Sequence, residues 1–416
     1  MTALDHRGRP RVAITGVGVK APGGLDLDRF WAALLEGRGL AGPISRFDAS
    51  AISVRIGCEV QGFDPVAHAG PKESRRMDRA TQLGFAAAMD AAAAAGLPAS
   101  LDPSRAAVIA GTGVGGLMTM EEQILVLHEK GPDRVSPFLV PMMMTNATAG
   151  TISIHLGWTG PNLCVATACA AGAHAIGEGA RLIRDGSSDV VLAGGTESSQ
   201  TPVAIAAFAR MGALSGRNDD PTTASRPFDV DRDGFVMGEG AGFLVLERWD
   251  HATDRGAAIL GEVLGYGRNG DAHHITAPVP GGAGAVACMR LALDDAGLAP
   301  SDIGSINAHG TSTPLNDAAE SMAIGTVFGD GRVPVTSTKG VTGHLVGAAG
   351  AVEAIAALQT IRTRTVPPTA NHSTRSDDIT ADVVHGEPRP TDDRPVLSNS
   401  FGFGGHNATL IIGAGR

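Results

Sequence analysis

Short apolar runs alternate with longer alanine-rich stretches along most of this chain. Residues 12–17, 106–110, 163–167, 190–193 and 303–308 read as buried strands, because each is a brief β-prone run bounded by turn residues. Residues 79–95, 171–185, 284–296 and 348–362 read as helices, being longer and rich in Ala and Leu. Strands alternating with helices predict an α/β fold whose sheets are covered by helices.

The pattern also repeats. Residues 90–113 run through a helix, the tripeptide AGL, a proline, a strand and Gly-Thr, and residues 294–311 do so in the same order. The segment around Cys169 and the segment from Lys339 to His344 each lead from a strand through a loop into a helix of small residues. Residues 234–247 and 399–413 both read as a glycine-rich turn followed by an apolar strand. Order and type agree together, which predicts two similar halves, residues 1–255 and 256–416. No linker separates them, so one continuous body is expected.

Composition narrows the class. The chain has 416 residues, 57 of them glycine, with no collagen-like period. The glycines fall in short clusters, as tight turns at strand ends require. A formal net charge of −10 argues against nucleic acid as a partner. The polar start, Met1 to Pro10, has no signal-peptide pattern, and no apolar run is long enough to span a membrane. Cys58, Cys164, Cys169 and Cys288 fit neither a zinc site nor a disulfide framework, so a reducing cytoplasm is expected.

Cys169 is the cysteine with chemical promise. Its segment, TACAAG over residues 167–172, follows an apolar run and precedes a helix. A sulfur at a strand-to-helix turn meets free backbone N–H groups and the positive helix end, which predicts a stabilised thiolate. Small neighbours leave it approachable. Cys164, inside the strand, reads as a buried structural residue.

Two histidines lie in comparable places. His309 sits in AHGTSTP after a strand, and His344 closes STKGVTGH after another. Ligands bind at such strand ends in α/β folds. Two neutral imidazoles can donate N–H groups to one oxygen, which suits an enolate formed by decarboxylation. Lys339 can add positive potential, Asp317 and Glu320 can form an ion network with it, and Glu353 can orient the loop. The closing segment SNSFGFGGHN lets a backbone N–H approach a reacting carbonyl, and its Phe401 and Phe403 can serve as core or gate. Three other motifs are weak. GTGVGG at residues 111–116 lacks the acidic partner of a dinucleotide site. Residues 229–234 open like a calcium loop, but Glu239 closes it one position early. Asn146-Ala147-Thr148 is a glycosylation sequon without meaning in a cytoplasmic protein.

Taken together, TACAAG, AHGTSTP, STKGVTGH and SNSFGFGGHN, in this order and spacing, resemble the type II beta-ketoacyl-acyl-carrier-protein synthases over nearly the whole chain. The resemblance implies a thiolase-like fold, a duplicated five-layer α-β-α-β-α body. It implies that Cys169 takes an acyl chain, that His309 and His344 assist decarboxylation of malonyl-acyl-carrier-protein, and that Lys339 supports them. Thr311 and Thr313 match the loop carrying His309. Backbone N–H groups of Cys169 and Phe403 would form the oxyanion hole, with Phe403 also gating malonyl entry. Val114, Ser199, Gln200, Phe208 and Phe401 match acyl-pocket positions, where Ser199, Gln200 and nearby Thr148 are more polar than usual. Asn307, Glu353, Ser398 and Asn399 match a structural sodium or potassium site; no other cofactor is implied. Lys72, Arg75, Arg76 and Arg134 would dock the acidic carrier protein.

A homodimer is expected, with a heterodimer including a chain-length factor as the alternative. Fatty-acid elongation is the expected reaction setting, and a specialised type II polyketide or polyene pathway the alternative. A thiolase would carry a second cysteine in the C-terminal loop, and this chain has none after Cys288. A chain-length factor lacks the active cysteine. A nicotinamide-dependent oxidoreductase would rest on GTGVGG alone.

Overall fold

The computed structural model describes residues 3–415. Ten strands organise it. In the first part of the chain they are β1 (Val12–Lys20), β2 (Ala106–Gly111), β3 (Asn162–Val165), β4 (Val190–Glu197) and β5 (Gly240–Arg248). In the second they are β6 (Gly261–Gly270), β7 (Ser305–Asn307), β8 (Pro334–Thr336), β9 (Val396–Gly402) and β10 (His406–Gly413). The first five lie in the order β3-β2-β4-β5-β1, and the second five in the order β8-β7-β9-β10-β6. These are the same permutation. The senses match too: β2 is parallel to β3 and β4, and β7 to β8 and β9, while the remaining neighbours in each set are antiparallel. A short pairing of Ala13 and Ile14 with Glu262 and Gly261 joins β1 to β6.

Five helices complete the layers: α1 (Arg79–Ala95), α2 (Ala171–Arg184), α3 (Ala283–Ala296), α4 (Pro314–Phe328) and α5 (Ala349–Thr363). α1 covers the outer face of the first sheet, and α3, backed by α4, covers the second. α2 and α5 pack on each other between the sheets. The result is the five-layer α-β-α-β-α body. Alanine and glycine make the middle layer feasible, because bulky residues would hold two sandwiched helices apart. α5 is buried from Ala349 to Ile361, and only its last turn reaches solvent.

The predicted elements agree with these bounds to within a few residues at most ends. The exception is β4, which continues through four further residues to Glu197. β3 stops at Val165, which frees Thr167 to Ala170 for a loop. β3 is also a sheet edge, paired among the described residues only with β2. That placement corrects the expectation for Cys164, which is half-buried on an open edge rather than enclosed in the core. Among the described residues, no helix is long and apolar enough to cross a membrane.

Candidate active site

The loops at the ends of β3, β7, β8 and β9 converge on a cavity of about 490 Å3. Cys169, His309, His344, Phe401 and Phe403 all line it, as do Val114, Phe208, Thr311 and Thr313. Cys169 sits in a single 3-10 turn, Ala168–Ala170, immediately before α2. Ala168 is forced to φ +49°, a conformation that L-residues rarely adopt. Strain of this kind costs roughly 1–3 kcal/mol and persists only where surrounding packing over-determines it. Here Gly402 supplies the packing: a Cβ there would meet the Thr167 carbonyl oxygen at 2.7 Å.

The sulfur departs from the expectation of a stabilised thiolate. Burial pushes the Cys169 thiol up to about 12, outweighing Lys339 and the backbone N–H of Phe403, which both favour the anion. The nearby carboxyl of Glu197 pushes it further up. At neutral pH the free enzyme holds a thiol.

His309 and His344 are both almost fully buried, with ring centroids 5.3 Å apart and planes at 85°. Burial, with Lys339 adding to it, lowers both well below the ordinary histidine range, so both rings are neutral. Lys339 fixes the tautomer of one of them. Its ammonium lies 3.4 Å from His309 Nδ1 and donates to the His309 carbonyl oxygen at 2.6 Å. An ammonium has no lone pair, so Nδ1 must accept and Nε2 carries the proton.

Lys339 is 1% exposed and pairs with the carboxylate of Glu353, itself 2% exposed. This overturns the expected network with Asp317 and Glu320. Those two carboxylates face backbone instead. Glu320 accepts from the N–H groups of His309 and Gly310, each at 2.8 Å, and Asp317 from those of Thr311 and Phe228. They hold the His309 loop in shape from α4, and burial raises both, Glu320 to about 7. The hydroxyls of Thr311 and Thr313 lie 2.9 Å apart at the cavity wall.

Other expected positions divide. Ser199 and Gln200 are buried but do not line the cavity, so they are not acyl-pocket residues in this structure. The amide of Gln200 instead donates to the carbonyls of Cys58 and Met237. Thr148 is also buried, 3.2 Å from the hydroxyl of Thr81 on α1. Asn307, Glu353, Ser398 and Asn399 are all buried. Lys72, Arg75, Arg76 and Arg134 are exposed. The first three lie at the end of the helix Pro65–Ser74 and in the turn before α1. The GTGVGG segment forms the turn from β2 into a helix and contributes Gly113 and Val114 to the cavity. In the calcium-like loop, the Asp229 carboxylate accepts from the N–H groups of Asp231, Ser373 and Thr374.

Sequence reasoning missed Glu197. It ends β4, is fully buried, and accepts from Gly113 N–H at 2.6 Å and Gly347 N–H at 3.2 Å. An acidic residue closing a buried apolar strand was the available signal.

Models of the beta-ketoacyl synthase N-terminal and C-terminal domains match residues 9–252 and 260–373. The chain belongs to the beta-ketoacyl synthase family. It is 48% identical over 407 residues to 3-oxoacyl-[acyl-carrier-protein] synthase 2 of Synechocystis sp., covering 97% of this chain and 98% of that protein. Among solved structures it resembles the ishigamide ketosynthase/chain length factor, with a TM-score of 0.92, 39% identity, and coverage of 98% and 100%. A type II PKS acyl-carrier protein in complex with its ketosynthase bound to the hexaketide gives 0.90, 31%, 98% and 100%. The fold is accordingly the thiolase-like ketosynthase fold, and the chain is an acyltransferase of that family.

Proposed function

We propose that this ketosynthase joins a malonyl unit, delivered on acyl carrier protein, to an acyl chain held on Cys169, in fatty-acid elongation. The observation that carries the reading is the meeting of a half-buried thiol with two neutral histidines, one of fixed tautomer, in one cavity. The acyl chain first passes to the Cys169 sulfur, and the carrier leaves as a thiol. The malonyl thioester then enters. His309 Nε2–H and His344 hold its thioester oxygen while the C–C bond to the carboxylate breaks, releasing CO2 and leaving an enolate. The enolate carbon attacks the acyl carbonyl on Cys169. The N–H groups of Cys169 and Phe403 receive the resulting oxyanion. Collapse expels the Cys169 thiolate and leaves a beta-ketoacyl carrier. Neutral imidazoles suit this task, since imidazolium would donate its proton and quench the carbanion.

The elongation reading is favoured by 48% identity to the Synechocystis sp. enzyme across nearly the whole chain. The likeness to the ishigamide ketosynthase/chain length factor supports a specialised polyketide or polyene role as the second reading. Exposed Lys72, Arg75, Arg76 and Arg134 offer the acidic carrier a basic landing site. A homodimer through β3 is supported by that strand's open edge and by exposed Leu163, Ile124, Leu125 and Val140. A chain-length factor on the same face is the alternative. Free cysteines accord with a cytoplasmic setting.

A sodium or potassium ion fits beside Asn307 and Glu353, where Asn307 Oδ1 and Glu353 Oε2 are buried without hydrogen-bond partners. Asn399 has its side chain engaged with Thr409 and Glu320, so it would contribute its backbone oxygen, with Ser398 beside it in β9. Such an ion would neutralise carboxylate charge in the core.

CO2 release from malonyl carrier tests the reaction. Cys169→Ala should still release CO2 without condensing. His309→Ala should release it about 100-fold more slowly. Undiminished release by His309→Ala would remove His309 from the reaction.

A further inference from the structure

The chain builds the same elbow twice. Ala168–Ala170 precedes α2, and the 3-10 turn Val346–Ala348 precedes α5. Ala168 has φ +49° and Val346 φ +47°, so each turn begins with the same unfavourable conformation. Cys169 in the first elbow therefore corresponds to Gly347 in the second. The correspondence ends at the N–H groups. That of Cys169 is aimed at the reacting centre, while that of Gly347 donates to Glu197.

Glu197 reaches from the end of β4 into the joint between the Thr112–Gly113 turn and the second elbow. The same oxygen, Oε2, accepts from Gly347 N–H and from Gly113 N–H, and Oε1 lies 3.4 Å from the Thr112 hydroxyl. Gly113, Val114 and Val346 all wall the cavity beside Cys169. The two turns come from opposite halves of the chain, and one carboxyl oxygen bridges them. A buried carboxyl costs free energy unless its oxygens are used, and here the use is to hold a wall of the acyl end in place.

We propose that Glu197 is a positioning residue for acyl loading: it ties the Gly113–Val114 turn to the second elbow and so sets the wall against which the incoming chain aligns with Cys169. The inference rests on the condensing reading of the site. It makes a chemical distinction, because a glutamine can place its own carbonyl oxygen at Oε2 and accept both N–H bonds. An alanine cannot. The shorter aspartate falls one methylene short of both turns.

Two rates separate the possibilities: transfer of medium and long acyl chains from carrier to Cys169, read by intact-protein mass spectrometry, and CO2 release from malonyl carrier. Glu197→Ala should load acyl chains at least tenfold more slowly, with Glu197→Gln within about threefold of the parent. Both should release CO2 within about threefold of the parent, since His309 and His344 act on malonyl without an acyl chain present. If the alanine variant does not fold, Glu197→Asp takes its place with the same expectation. Loading by Glu197→Gln as slow as by Glu197→Ala would overturn the clamp. So would normal loading by Glu197→Ala, or equal losses in loading and CO2 release. Failure of the parent enzyme to release CO2 at all would instead count against the condensing reading.

Discussion

The two elbows share a backbone and divide the labour. At Cys169 a side chain projects into the cavity, and the N–H of Cys169 itself lies at the sulfur. At Gly347 there is no room for a side chain: a Cβ would lie 2.3 Å from the Gly113 nitrogen. In the proposed reaction the first elbow presents the nucleophile on a strained turn, and the second, packed too closely for a side chain, braces it. Duplication supplied two copies of a device suited to presenting a nucleophile, and only one presents one. Strain at the first elbow can persist because the second is packed tightly against its helix, with the Gly347 carbonyl against Gly172 and Gly195.

Substitutions at the two elbows should therefore fail differently. Cys169→Ala should lower condensation by roughly 10^4-fold or more, while its melting temperature stays within a few degrees of the parent. Gly347→Ala should do the reverse in kind, losing about 3 kcal/mol or more of stability by overpacking, measurable by denaturant titration. A Gly347→Ala protein of unchanged stability would mean the second elbow is not a brace.

Lys339 joins α5, through Glu353, to the histidine loop. Lys339→Ala frees the His309 tautomer and leaves Glu353 without its cation, so CO2 release should fall about 100-fold. Glu353→Gln should cost less, since Lys339 keeps its bonds to His309. Equal losses in the two variants would show that the ion pair, rather than the tautomer, matters.

The pH dependence of stability sharpens the role of the brace. Burial raises Glu197 from 4.5 to about 7, so between those values the unfolded chain has released its proton and the folded chain has kept it. Folding stability contributed by this group is therefore present below pH 4.5 and lost as pH rises towards 7. Glu197→Gln does not titrate. Relative to the parent it should gain roughly 3 kcal/mol across that window, read from denaturant midpoints at several pH values. A constant difference across the window would place the Glu197 titration elsewhere.

The smallest effect belongs to the surface. Reversing charge at Arg75 and Arg76 should raise KM for the carrier substrate about five- to tenfold and leave kcat unchanged. Arg76 lies 4.9 Å over the Phe138 ring, so Arg75 alone gives the cleaner test of charge.

Much of this was legible in the chain itself. The order of strands, helices and glycine turns carried the duplication, because small-residue packing leaves a strong periodic trace. That Cys169, His309 and His344 meet at one cavity was legible because loop motifs at strand ends are local. What stayed hidden depends on directions that only the folded backbone sets. Asp317 and Glu320 lie on α4 facing the backbone of the His309 loop, so Lys339 finds Glu353 on α5 instead. Ser199 and Gln200 follow β4 into the interior, where the Gln200 amide donates to the backbone carbonyls of Cys58 and Met237. The positive φ of Ala168 and Val346 leaves no mark on residue type. The thiol's high pKa follows from burial, which no motif encodes, and there it outweighs the helix end.

The central claim is that Cys169 carries the growing chain. It is tested most directly by mass spectrometry of the purified protein after incubation with a panel of acyl carriers, followed by peptide mapping. The account predicts one acyl group per chain, on the peptide containing Cys169, and none on Cys169→Ala. Acylation of another residue, or undiminished acylation of Cys169→Ala, would contradict it.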